Sequence, residues 1–124
     1  MPNTYSAFTI NDLAEFSFIA GAYQELYFDV YTASGSPVDI TSASCLLVIS
    51  QYGDQGNLIL QITGSPVVAG SVLNQFVAEL LTADTKDLYG KYVFQPVVQA
   101  ADGTEHRPSQ GLVTIIPRIP LTGE

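Results

Sequence analysis

The chain has 124 residues, enough to bury roughly two thirds of its unfolded surface and hold one core without covalent staples. Hydrophobic residues make up 47% and charged residues only 13%, with a net charge of −8 and a single cysteine, so a disulfide framework is excluded. No Lys or Arg occurs before Lys86, and a chain without a cationic face cannot neutralise phosphates, which argues against nucleic acid as a partner.

The first sixteen residues, MPNTYSAFTINDLAEF, have neither a basic start nor a long apolar stretch, so they do not read as a signal peptide. The longest apolar runs are far shorter than the roughly twenty residues that cross a bilayer. Residues 1–23 are expected to form an N-terminal arm, with EFSFIAG able to add a strand and Phe8, Ile10, Phe16 and Phe18 in need of cover. From there period-2 alternation dominates. In ELYFDVYT, Leu26, Phe28 and Val30 alternate with Tyr27, Asp29 and Tyr31, which puts one set in a core.

ASGSP (residues 33–37) punctuates the chain before ASCLLVISQY, where Cys45 reads as a small buried hydrophobe. GDQGN reads as a turn, NLILQIT as a strand and GSPVVAGS as a further break. VLNQFVAELL is a strand, after which Thr82 is expected to cap one short turn of helix. GKYVFQPVVQA, a polar loop and LVTIIPRI complete the set, with Pro96 marking a bulge or an unpaired side because it cannot donate to a ladder.

Seven to eight short strands with short connections predict an all-β, immunoglobulin-like antiparallel β-sandwich over residues 24–119, followed by a tail over 120–124. DLYGKY carries the most specific local signal. In such sandwiches a tyrosine at the start of the sixth strand hydrogen-bonds back to the corner before it, so Leu88, Gly90 and Tyr92 read as a tyrosine corner, with Phe94 and Phe28 in the core.

Catalytic chemistry has little to stand on. His106, Asp102 and Ser109 share one polar loop, and a triad needs a base oriented by a third group in a cleft. One His and one Cys cannot make a zinc site. The acidic turns around Asp54 and Asp102 lack the ligand count of a calcium loop and read as turn chemistry. The expectation is a protein that is not an enzyme and needs no cofactor.

The stretches YFDVYTASGSPVDITSASCLLVIS and LTADTKDLYGKYVFQPVVQAADGTEHRPSQGLVTIIP together resemble the N-terminal immunoglobulin-like domain of phage baseplate upper proteins and related small phage virion domains. The resemblance runs over residues 26–117 through Gly35, Asp39-Ile40-Thr41, Leu81-Thr82, Gly90-Lys91-Tyr92, Asp102-Gly103, Pro108 and Gly111. It implies a virion structural protein, made in the host cytoplasm, that docks onto capsid, tail, baseplate or fibre proteins in repeated copies. Baseplate proteins continue into a long fibre; this chain has none after Ile119, which leaves capsid decoration, head-fibre attachment and a tail or neck component equally open.

The outward positions point the same way, because Tyr27, Tyr31, Val93 and Val97 are large or apolar where a solvated face reads polar. With Phe16 and Phe18 they are the expected protein interface. The alternative is a module that binds host-surface carbohydrate through exposed aromatics.

Overall fold

The computed structural model describes residues 5–7, 15–32, 36–69, 72–107 and 110–122. Phe8, Ile10, Gly35, Pro108 and Ser109 lie outside the described residues. The elements in chain order are β1 (Tyr5–Ala7), β2 (Glu15–Ile19), β3 (Gln24–Asp29), β4 (Tyr31–Thr32), β5 (Ser44–Gln51), β6 (Asp54–Ala69), β7 (Val72–Leu80), α1 (Thr82–Thr85), β8 (Gly90–Gln99), β9 (Glu105–His106) and β10 (Gly111–Ile116).

Seven strands follow one another in the order β2-β10-β8-β5-β6-β7-β3, with β9 beside β8 and a separate β1-β4 pair. The sheet folds over on itself at β6, whose first part pairs with β5 and whose second part pairs with β7. That gives two layers: β2, β10, β8, β5 and the start of β6 in one, the end of β6, β7 and β3 in the other. The fold is an all-β sandwich.

Among the described residues its pairs are antiparallel with one exception. β2 lies parallel to β10, Phe16 opposite Val113 and Phe18 opposite Ile115, so the sheet is mixed where consecutive hairpins alone predict antiparallel pairing. The reason is that β2 enters at the edge and is not the hairpin neighbour of its partner.

Alternation builds the core. Leu26 and Phe28 from β3, Phe76, Ala78 and Leu80 from β7, Cys45, Leu47 and Ile49 from β5, and Phe94 and Val98 from β8 are all buried in one cluster. Four aromatic rings join the layers: Phe28 stacks on Phe76 with centroids 5.1 Å apart, lies 6.4 Å from Phe94, and Phe94 meets Phe16 edge-on at 5.2 Å. No buried side-chain polar atom among the described residues lacks a partner. Asn74, for example, donates from Nδ2 to the Val30 carbonyl at 3.2 Å.

Three local expectations need correction. GSPVVAGS breaks the chain later than its composition suggests: β6 runs through Gly64, Ser65 and Pro66 as it passes from one layer to the other and ends at Ala69, before β7 begins at Val72. The preceding turn is Tyr52-Gly53 alone, with Gly53 at φ +82°, and Asp54 is already paired opposite Gln51. The residue before α1 is Leu81, not Thr82; the Leu81 amide donates to Asp84 Oδ2 at 2.7 Å and the Asp84 amide to the Leu81 carbonyl at 2.9 Å. A backbone amide needs only the acceptor three residues on, so a leucine serves there.

Pro96 sits where β8 has β5 on one side only, past the last β10 pair at Phe94 and before the first β9 pair at Val98. A residue that cannot donate to a ladder is tolerated at such a gap.

Candidate interaction surface

Tyr92 is the third residue of β8. Its hydroxyl donates to the Tyr89 carbonyl at 3.0 Å, while its ring packs against the core. Gly90 supplies the bend at φ +102°, a region that favours glycine, and Leu88 covers the core from below. The clamp is at the surface: the bond is solvent-exposed, not buried. Next to it α1 is tied to the β2–β3 turn, where the Gly21 amide donates to the buried Thr85 Oγ1 at 2.9 Å.

Of the six residues expected at an interface, four take other places. Phe16 and Phe18 share the face of Val113 and Ile115, so alternation turns both inward, and Phe18 is buried. Val93 and Val97 do face outward, yet are only 5% and 1% exposed. They are short side chains on a central strand, with Ser50 and Leu112 beside Val93 and Leu46 beside Val97. Tyr31 is half-buried on β4, with Pro37 across from it. Tyr27 alone of the six is exposed, at 40%.

The surface around Tyr27 is one that no single stretch of sequence reveals. Glu25, Tyr27 and Asp29 point outward from β3; directly across on β7 stand Glu79, Val77 and Gln75. Tyr23, 51% exposed, donates its hydroxyl to Glu79 Oε2 at 2.8 Å, and Tyr27 donates to Glu25 Oε2 at 3.0 Å. Gln75 Nε2 donates to Asp29 Oδ1 at 2.9 Å. Three carboxylates and two phenols thus line one sheet face, and neither β3 nor β7 contains a Lys, Arg or His.

The bond to Glu79 pushes the Tyr23 phenol up to about 12, and the bond to Glu25 raises Tyr27, because each carboxylate binds the neutral phenol and repels the phenolate. Two glutamates directly opposite repel, and the phenol donors offset part of that repulsion.

The other layer's outward face differs. Val48, Val93 and Leu58 floor a shallow depression of about 190 Å³ rimmed by Gln61, Gln95 and Arg107. Arg107 donates to Gln95 Oε1 at 2.9 Å and pairs with Glu105. Lys91, on the outward side of β8, holds its ammonium 5.5 Å from the Tyr52 ring.

A larger cleft of about 590 Å³ lies at the end of the sandwich between Lys86, Tyr89, Pro117 and Arg118. Asp87 lines it as well, and the Arg118 stem lies over Gly21, so part of its charge and length is already engaged.

Asp102 accepts from the Thr104 amide at 2.8 Å, and that turn holds its carboxyl below the usual range; Asp39 is lowered in the same way by the Thr41 hydroxyl and amide. Both are turn-forming carboxylates. Among the described residues no group of three His, Cys, Asp or Glu is placed to hold a metal ion. Burial pushes the Cys45 thiol up to about 11, far from a nucleophile's range. No helix among the described residues is long and apolar enough to cross a membrane.

No family model matches the chain. No curated protein matches it either. Among solved structures, CopC from Methylosinus trichosporium OB3b is similar, with a TM-score of 0.50 and 16% identity over 97% of this chain and 99% of that one. The likeness is one of fold. It accords with the two-layer arrangement and carries no function across.

Proposed function

We propose that this chain is a non-enzymatic structural protein of a bacteriophage virion, docking onto capsid, tail, baseplate or fibre proteins through the outward faces of its sandwich. The observation that carries the reading is that both outward faces bear large side chains the fold itself does not use. The core closes on Phe28, Phe76 and Phe94, while Tyr23, Tyr27, Tyr52 and Leu58 remain exposed. Exposed aromatics clustered on a sheet face are the usual anchors of protein contacts.

The resemblance of residues 26–117 to phage immunoglobulin-like domains supplies the virion setting. Partners in this reading are other virion proteins and further copies of the chain, with no nucleic acid, membrane or cofactor engaged.

The test is mass spectrometry of purified particles of the phage that encodes the chain, read together with the neighbouring genes. Peptides of this chain at many copies per particle are expected. Particles without it, or a gene setting without capsid and tail genes, would sink the reading. Tyr23 and Tyr27, adjacent on one face, also suit a carbohydrate-binding module; saturable binding on a glycan array by the isolated chain would favour that second reading.

A further inference from the structure

Each layer of the sandwich ends on an edge strand, β2 in the larger layer and β3 in the smaller, and among the described residues each has a partner strand on one side only. An open edge is a row of backbone donors and acceptors ready for a further strand, and charges along it keep such a strand away. β3 is guarded in this way by Glu25 and Asp29, because a second β3 paired about Tyr27 would set carboxylate against carboxylate. β2, which reads Glu15-Phe16-Ser17-Phe18-Ile19, has neither proline nor lysine, and its one charge lies at its end.

The hydrogen bonds show which groups of β2 are open. The Ala20 amide donates to the Ile116 carbonyl at 2.8 Å, so by alternation Phe16 and Phe18 face β10, while the amides and carbonyls of Glu15, Ser17 and Ile19 face away from it. Those three side chains are exposed, and the Phe16 ring is only half-buried. A row of rings, Phe28, Phe94, Phe16 and Phe18, runs from the core to this edge at spacings of 6.4, 5.2 and 6.1 Å and stops there.

We infer that β2 is completed by the β2 strand of a second copy, antiparallel and two-fold about Ser17, so that one sheet runs through both molecules. The strand's own symmetry selects this occupant. Setting Ser17 against Ser17 brings Glu15 opposite Ile19 and Phe16 opposite Phe18. The pairs at 15, 17 and 19 are then the ones that exchange hydrogen bonds, so every open amide and carbonyl of these residues is satisfied. No like charges oppose, and the phenylalanines meet on the core side at the closer, non-hydrogen-bonded positions, which carries the row of rings into the second molecule. Both copies use the same patch, so the contact closes at two. The inference stands on the geometry of β2 and is independent of the virion reading, which concerns the outward faces.

Sedimentation equilibrium of the full chain, at concentrations up to about 100 µM, provides the test. A dimer that grows no further is expected, and because no ion pair holds it, raising NaCl from about 50 mM to about 500 mM should leave its dissociation constant within about threefold. Ser17→Pro removes an amide that faces away from β10, leaves the β2–β10 bonds in place, and should weaken the dimer about tenfold or more. Ser17→Lys should do the same by bringing two ammonium groups together at the two-fold axis, and at an exposed position it does not stress the free chain. Cysteines read the register. At the axis the Cα atoms stand about 5.5 Å apart, within disulfide range, so Ser17→Cys should form a covalent dimer on mild oxidation. Glu15→Cys, whose copies lie at opposite ends of the joined strands, should not, and Cys45 is buried and does not compete.

A chain that stays monomeric overturns the proposal and assigns the edge to residues ahead of β2 or to a strand of another protein. A dimer indifferent to both Ser17→Pro and Ser17→Lys overturns it too, as does one cross-linked through Glu15→Cys and not through Ser17→Cys. A monomer leaves the virion reading standing, and particles without this chain leave the dimer standing.

Discussion

The Tyr92 hydroxyl reaches back three residues to the Tyr89 carbonyl, and everything needed for that bond lies within six residues of chain. This is why the corner is legible in the sequence: Gly90 at positive φ, Leu88 turned inward and Tyr92 closing the bend follow from local spacing. What spacing does not give is depth, since exposure depends on which elements arrive from elsewhere. The bond is at the surface, where water competes for both partners, and a typical net hydrogen bond contributes about 0.5–1.5 kcal/mol. Tyr92→Phe should therefore lower the unfolding free energy by about 0.5–1 kcal/mol, measured by urea titration with an unchanged slope. An indistinguishable midpoint would remove the clamp from the account of stability. Val93 and Val97 teach the same lesson in reverse, because alternation places them outward while their burial is set by neighbours that the strand's own sequence does not name.

At the level of elements, β6 is where composition misleads. Gly64, Ser65 and Pro66 in GSPVVAGS are turn residues by composition, yet the strand continues through them, because the sheet needs a side-chain-poor point where it changes layers. Gly64 is the last residue paired with β5, and Ser65 the first paired with β7. A Cβ on Gly64 would stand 2.6 Å from Phe76 Cδ2 and 3.1 Å from the Val77 carbonyl oxygen, with Phe76 itself held against Phe28. Gly64→Ala should cost about 1–3 kcal/mol. Gly56→Ala in the same strand meets only Asp54 Oδ1 at 3.7 Å and should change stability by no more than about 0.5 kcal/mol. Equal effects from the two would show that the crossing point is not tightly packed. The β3–β7 pair supplies a second test, one that register makes possible and sequence alone does not, since nothing in the chain says that Glu79 faces Glu25. The bond to Glu79 pushes the Tyr23 phenol up to about 12 and the bond to Glu25 raises Tyr27, so absorbance at 295 nm should show two phenols titrating late, and Glu79→Gln should bring Tyr23 down. The sign for stability follows from a folded value above the unfolded one. The contribution is complete below about pH 10 and is lost as pH rises towards 12.

For the whole molecule the decisive contact joins its two ends. β10 is bordered by β2 on one side and β8 on the other, so the strand formed last in the chain completes the larger layer and aligns residues near the start with residues near the finish. Strand content, the single core and the apolar face of each strand are legible in the sequence, since they are period-2 properties of short segments. The layer assignment, the parallel pair and the gathering of Glu25, Asp29 and Glu79 on one face are not, because each depends on which strands become neighbours across long stretches of chain. That dependence predicts where stability is concentrated. Ile115 points into the core at 1% exposure with Phe18 across from it, whereas Ile116, the next residue, faces out. Ile115→Ala should lose about 2–5 kcal/mol, the cost of removing a buried aliphatic side chain and leaving a cavity. Ile116→Ala should stay within about 1 kcal/mol, consistent with a partly exposed position. Urea unfolding followed by both far-ultraviolet and near-ultraviolet circular dichroism should show one coincident transition in each variant, because no part of the larger layer is complete without β10. Two separated transitions in Ile115→Ala would mean that the β3–β7 layer holds together by itself, and that the two layers do not share one cooperative core.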